Sequence, residues 1–255
     1  MGNYYFASAS LPPIERGGEL TISFSSLMHL FNMNLSEEDL KKVLLIRRLI
    51  DLTNLSRLLK NEPCDSRGNL TVKELDEALL NKTLLPNYIF EILDKYEETE
   101  KKIQHFPEII SAFYHREVLE TEGFLKNYFE FERMLRLTLC AYRAKKLNRD
   151  LVKELQFEDP KGSFVAFLLA QKDQPHFEFP YDFQDLGEGL IKLRDPLEQA
   201  FFIDDYRLKK IEELSDQPLF SIDYLLSYMV KLILLENLEK LDEERGLRAI
   251  EKIKG

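Results

Sequence analysis

Apolar residues recur along most of this chain at spacings of three and four, the period of a helix that buries one face. The longest clear pattern runs from Gly123 to Leu147, where Phe124, Tyr128, Phe131, Leu135, Leu139 and Tyr142 form one stripe and Lys126 and Arg133 lie opposite. An earlier helix is predicted from Ser36 to about Lys60: Ser36 is a good N-cap, and Glu37, Glu38 and Asp39 place acid at the positive end of the helix dipole. Within it Leu40, Val43, Leu44, Leu45, Ile46, Leu49, Ile50, Leu52, Leu55 and Leu58 leave little polar surface, which predicts a central, buried helix. One polar ridge interrupts it. Arg47, Asp51 and Asn54 fall on one side, and burial would require each to find a partner.

Shorter signals fill in the rest. A helix is expected over Phe24 to Asn32, and Asn69 to Glu74 reads as a loop entering a capping-box helix. Pro86 should open a helix carrying the charged run Lys95 to Lys102, and another should follow Pro107. Asp195-Pro196-Leu197-Glu198 starts a helix to about Leu214, and Ser221 starts the last long one, with a break expected near Gly246. Pro12-Pro13 and Gly17-Gly18 leave a short, irregular or extended N-terminal segment. The expected fold is all-α, roughly 60% helix or more. Asp173 to Tyr181, with two prolines and no helical period, suggests a division into residues 1–172 and 173–255 of one continuous helical fold. Val72-Lys73-Glu74-Leu75 recurs as Val152-Lys153-Glu154-Leu155, each downstream of a long helix, an echo suggestive of a repeat.

Composition narrows the class without changing this picture. Only ten glycines and ten prolines occur in 255 residues, too few for an all-β design with a turn about every ten residues. A net charge of −10 argues against nucleic acid, whose phosphates call for a basic field. The two cysteines, Cys64 and Cys140, cannot build a disulfide framework and suit a reducing, cytoplasmic setting. Phe6 stands where a myristoylation signal needs Ser or Thr. The strongest apolar run, Tyr224 to Leu235, falls short of a membrane span.

Catalytic devices are missing from the sequence. Phosphate-loop, dinucleotide, nucleophile-elbow and zinc-protease motifs do not occur. The residues three before His29, His105, His115 and His176 are Ser26, Lys102, Ala112 and Asp173, so no Glu-x-x-His pair offers a dimetal site. Asp65 to Glu74 is spaced faintly like a calcium loop, but Pro63 and Arg67 fall where oxygen ligands are needed. No catalytic residue, metal or cofactor is expected.

Leu49-Ile50-Asp51-Leu52-Thr53-Asn54-Leu55-Ser56-Arg57-Leu58-Leu59-Lys60 resembles the recurring acid-x-x-Asn-Leu-x-x-Leu-Leu-Arg/Lys helix of the C-type stalk subunits of V/A-type ATPases. Phe129-Glu130-Phe131-Glu132 through Ala141-Tyr142-Arg143-Ala144-Lys145-Lys146 is similar to the next such helix, with Met134 near the amide position. The opening Tyr4 to Pro12 and the helix around Leu225 to Leu232 resemble a smaller family encoded among V-type ATP synthase genes in chlamydiae and Bacteroidetes.

The resemblance implies a helical, funnel-like, non-catalytic part that joins the central stalk to the membrane rotor ring. It would be cytoplasmic and held at the inner membrane by partner subunits alone. It makes Arg47, Asp51, Asn54 and Lys60 on the first helix, and Arg143, Lys145 and Lys146 on the second, the candidate structural or interface residues. An unrelated helical scaffold or adaptor would show the same long helices and the same lack of motifs.

Overall fold

The computed structural model describes residues 4–215 and 218–254, with 249–254 by backbone alone. The fold is all-α: helix covers 67% of the chain, and no strand occurs among the described residues. In chain order the helices are α1 (Tyr5–Ala9), α2 (Phe24–Asn34), α3 (Glu37–Leu59), α4 (Val72–Asn81), α5 (Asn87–Leu93), α6 (Thr99–Gln104), α7 (Phe106–Arg116), α8 (Gly123–Lys146), α9 (Leu151–Glu154), α10 (Ser163–Leu169), α11 (Gln184–Leu190), α12 (Pro196–Leu214) and α13 (Ile222–Lys254).

The chain divides into two compact units, one of residues 36–122 and the other of 1–35 with 123–255. The division expected at residue 172/173 falls inside the larger unit. That stretch holds no α-helix, but its aromatics join the core: Phe179 is buried in a cluster with Leu135, Leu139, Phe183 and Tyr206, Phe177 packs against that cluster, and both rings lie beside Tyr142. Prolines there shape the path of the chain without loosening it from its neighbours.

In the smaller unit α3 packs against α4, α6 and α7. Its start is as the capping residues dictate: the Ser36 hydroxyl accepts from the Asp39 N–H. Val43, Ile46, Leu52 and Leu55 are buried, whereas Leu44 is 44% exposed, so α3 is less enclosed than its composition suggests. At α4 the Thr71 hydroxyl takes the Glu74 N–H and the Glu74 carboxylate takes the Thr71 N–H, a complete capping box. The charged run after Pro86 is not one helix. α5 ends at Leu93; beyond it Lys95 and Tyr96 both reach Glu108, and the Tyr96 ring stacks on His105 at 4.2 Å.

In the larger unit α12 and α13 run along each other, with α8 against both. Asp195 caps α12 by accepting from the Leu197 N–H at 2.7 Å, ahead of Pro196 at the first turn. The opening segment is a short helix, not an extended strand, tied down where the Tyr4 N–H meets the Phe220 carbonyl at 3.0 Å and the Tyr228 hydroxyl meets the Pro12 carbonyl at 2.8 Å. No break occurs at Gly246, for α13 passes through it. A helical glycine costs only about 1 kcal/mol against alanine, and Arg245 and Arg248 on either side reach Glu198, Asp242 and Glu244.

Nothing lies within 4 Å of a Cβ placed on Gly246. Gly246→Ala is therefore expected to raise stability by about 0.5–1 kcal/mol, read as a higher urea midpoint. A lower midpoint would mean that the helix ends there.

Candidate functional site

The polar ridge of α3 faces the loop that leads into α4. Asp51 has no exposed surface and Asn54 is 1% exposed, and both are engaged. Asp51 Oδ1 accepts the Leu70 N–H at 3.1 Å, and Oδ2 accepts from Asn69 Nδ2 at 2.7 Å. The Asn54 amide reads the backbone of Asp65 in both senses, donating Nδ2 to its carbonyl and accepting its N–H, each at 2.7 Å. Arg47 completes the row: Nε donates to the Arg67 carbonyl at 3.0 Å and Nη2 to the Gly68 carbonyl. Three side chains one turn apart thus hold residues 65–70 as a template would hold a strand.

The loop is built to come this close. A Cβ on Gly68 would stand 2.5 Å from Asp51 Oδ1 and 3.1 Å from Asn54 Nδ2, so only glycine fits. Asp65 folds back on Arg67, whose N–H and guanidinium both bond its carboxylate. Asn69 Nδ2 also reaches the Leu44 carbonyl at 3.0 Å. Burial pushes the Asp51 carboxyl up from its ordinary value, against the hydrogen bonds from Leu70 and Asn69 and the charge of Arg48. Burial likewise lowers Arg47, with the Asp51 charge opposing it.

Arg48, absent from the sequence-level candidates, extends the row sideways. It lies 3.8 Å from Asp51 Oδ2 and 3.7 Å from Glu117 Oε2, and Glu117 Oε1 accepts the Tyr88 hydroxyl at 2.5 Å. Burial beside that carboxylate drives the Tyr88 hydroxyl far above its usual range, leaving a fixed donor rather than a proton carrier. The whole arrangement clasps a loop; no nucleophile with an adjacent base appears in it. Among the described residues no group of three or more His, Cys, Asp or Glu could hold a metal ion, and no helix is long and apolar enough to cross a membrane.

The basic candidates sit at helix ends. Lys60 is exposed at the C-cap of α3, beyond which Asn61 turns left-handed (φ 58°), its N–H bonding the Leu58 carbonyl while the Glu62 N–H bonds that of Arg57. α8 ends in the same way: Asn148 has φ 50°, its N–H bonds the Lys145 carbonyl, and the Arg149 N–H bonds that of Ala144. Arg143 and Lys146 are exposed, with Lys146 over the Tyr142 ring at 5.7 Å. Lys145 turns inward and donates to the carbonyls of Lys172 and Gln174 at 2.9 and 2.6 Å.

The shared cap fixes a register between the two long helices. Ten residues before each asparagine stand Asp51 and Thr138, and seven before stand Asn54 and Ala141. The α8 counterpart of the amide is thus Ala141, not Met134, and α8 carries no such clasp. It uses another device. Arg133 and Arg136 converge on Glu158, 2.6 Å away for Arg133, with the carboxylate side chain 3% exposed. Burial raises that carboxyl, but the two guanidiniums outweigh it and hold Glu158 below the ordinary range.

A model for a family described as “Protein of unknown function (DUF2764)” matches residues 1–255. An uncharacterized protein of Chlamydia muridarum (strain MoPn / Nigg) is 28% identical over 89% of this chain and 88% of its own length. One from Chlamydia trachomatis serovar D is 26% identical over 92% and 91%, and one from Chlamydia pneumoniae 28% identical over 89% and 88%. No solved structure matches the chain.

Asp51→Ala leaves buried N–H donors unmet and should cost about 3 kcal/mol or more in urea unfolding. Gly68→Ala should be of similar severity, because its Cβ displaces the same carboxylate. An unchanged midpoint for both would remove the clasp.

Asp51 and Glu158 act on pH in opposite senses. With its value raised, Asp51 contributes a loss of stability as pH rises through the window above its unfolded value. With its value lowered, Glu158 contributes stability above its unfolded value that disappears as pH falls through the folded one. Glu158→Gln should accordingly flatten the acid side of the stability profile between about pH 3 and 5, followed by denaturant titration.

Proposed function

The chain belongs to the family described as Protein of unknown function (DUF2764), and on that premise we propose that it is a non-catalytic, C-type stalk component of a rotary V-type ATP synthase, joining the central stalk to the membrane rotor ring. The observation that carries the reading is the segment Leu49 to Lys60. Its acid and its amide, the two positions that define the resemblance, are Asp51 and Asn54, the two least exposed polar residues of α3. A motif whose polar members organise a buried loop is a constraint on fold, and it is the kind of feature two related helical proteins would share. The chlamydial relatives add support, since the smaller resembling family is itself placed in chlamydiae.

The role asked of such a part is mechanical. Torque passing through a helical body calls for elements that do not slip, and side chain to backbone bonds resist sliding better than apolar contact alone. The partners would be stalk and ring subunits, with nucleotide chemistry left to other chains, and the attachment to the membrane indirect. A helical scaffold unrelated to the ATPase would keep the clasp and lose these partners.

An affinity-tagged chain recovered from native membranes is expected to bring V-type stalk and ring subunits with it, identified by mass spectrometry. Asp51→Ala should lower the melting temperature and, through that loss, the yield of the assembly. Recovery of the wild-type chain without any part of the ATP synthase would overturn the rotary reading.

A further inference from the structure

Within the larger unit the Glu15–Leu20 loop and the second half of α13 enclose a cleft of about 450 Å³. Its floor is apolar, made by Leu20, Leu235 and Leu238. Its rim carries Glu15, Glu239, Asp242 and Glu243. Two cations are already committed: Arg16 pairs with Asp205 and lies over the Phe201 ring at 5.4 Å, and Arg245 bonds both oxygens of Glu198 and also Asp242. Asp242 shares that one guanidinium with Glu198. Among the described residues Glu15, Glu239 and Glu243 have no ion-pair partner, and the last two stand one turn apart on α13, a like-charge spacing that weakens a helix. Gly17 turns the backbone at the mouth with φ 76°, and open space lies where its Cβ would be.

Shape and charge together restrict what can sit there. An anionic ligand would meet three uncompensated carboxylates. A bare metal ion would meet a leucine floor and, among the described residues, no cluster of three ligating side chains. A cationic side chain flanked by an apolar one satisfies both parts, its charge relieving the rim and its apolar neighbour covering the leucines. We propose that this cleft is a docking groove for a basic, leucine-bearing segment of another protein, Lys or Arg facing Glu15, Glu239 and Glu243 and apolar side chains resting on Leu20, Leu235 and Leu238. The groove does not depend on the rotary reading, since its chemistry is complete within this chain.

The test uses the full-length chain and a fluorescent helical peptide with Leu and Lys at helical spacing, against the same peptide with Glu for Lys and with Ala for Leu. The Leu/Lys peptide alone should bind, and Glu239→Gln with Glu243→Gln should weaken it about fivefold, the effect of two screened surface charges. Glu97→Gln with Glu98→Gln, an exposed acidic pair far along the sequence, is the control and should leave binding unchanged. Circular dichroism melts establish that both double variants fold. Equal weakening by the two pairs would reduce the effect to net charge and overturn the proposal, as would binding of the Ala or Glu peptide, or no binding of the Leu/Lys peptide. Self-association of the chain that the Glu239 and Glu243 changes abolish would overturn it in favour of a second copy.

Discussion

A carboxylate shut away from water must find its donors inside the protein, and Asp51 finds them in a loop that would otherwise have no fixed path. Residues 65–69 contain a glycine, four polar side chains and no apolar one, so apolar burial alone gives them nothing to hold. The Asp51 and Asn54 side chains supply backbone-like partners from a rigid helix instead, and Arg47 takes the carbonyls left over. Because Thr71 caps α4 immediately after the loop, the clasp also sets where that helix begins. Arg48 carries the same constraint toward α7 through Glu117 and toward α5 through Tyr88. The smaller unit therefore depends on a few charges that burial makes costly and geometry makes useful.

The larger unit solves an equivalent problem with different chemistry. α8 ends with the same left-handed asparagine as α3 and is likewise followed by a Val-Lys-Glu-Leu segment, yet Thr138 and Ala141 stand at the clasp positions. Without an acid and an amide to read the backbone, the segment after α9 is held by side chains, Arg133 and Arg136 on Glu158. The helical cap frames also differ: Val72 is the first residue of α4, whereas Val152 is the second of α9, after Asp150 as cap. The echo thus marks a similar local plan executed with distinct interactions. A lost clasp in the second helix removes a constraint there, and aromatic packing around Phe177 and Phe179 takes up the task of positioning the chain.

Helices are legible in the sequence because their signals are local. Ser36, Thr71 and Asp195 cap the helices they precede, since a hydroxyl or carboxylate two or three residues from a free N–H needs nothing else. The ridge of Arg47, Asp51 and Asn54 is legible as a demand for partners, because periodicity puts the three on one side. Its partners are not. Gly68 and Asn69 look like ordinary loop residues, and only the close approach of the two segments gives them meaning. Arg48 stands three residues before Asp51, a spacing at which helical side chains can pair, but its other partner, Glu117, is far along the chain. The break between α5 and α6 is likewise hidden, the residues between them meeting Glu108 and His105 farther along the chain.

These differences bear on what the resemblance to C-type stalk subunits can carry. A motif defined by an acid and an amide three residues apart on a helix records a requirement of folding, because both side chains are consumed by the loop they hold. Both are buried beneath it, out of reach of a partner. Any surface that meets a partner therefore lies elsewhere, on exposed residues such as Lys60, Arg143 and Lys146 at the helix ends. In those positions a cation already gains from the helix dipole, so its presence alone says little about binding. The resemblance speaks to how α3 is fixed, through side chains that its own loop consumes.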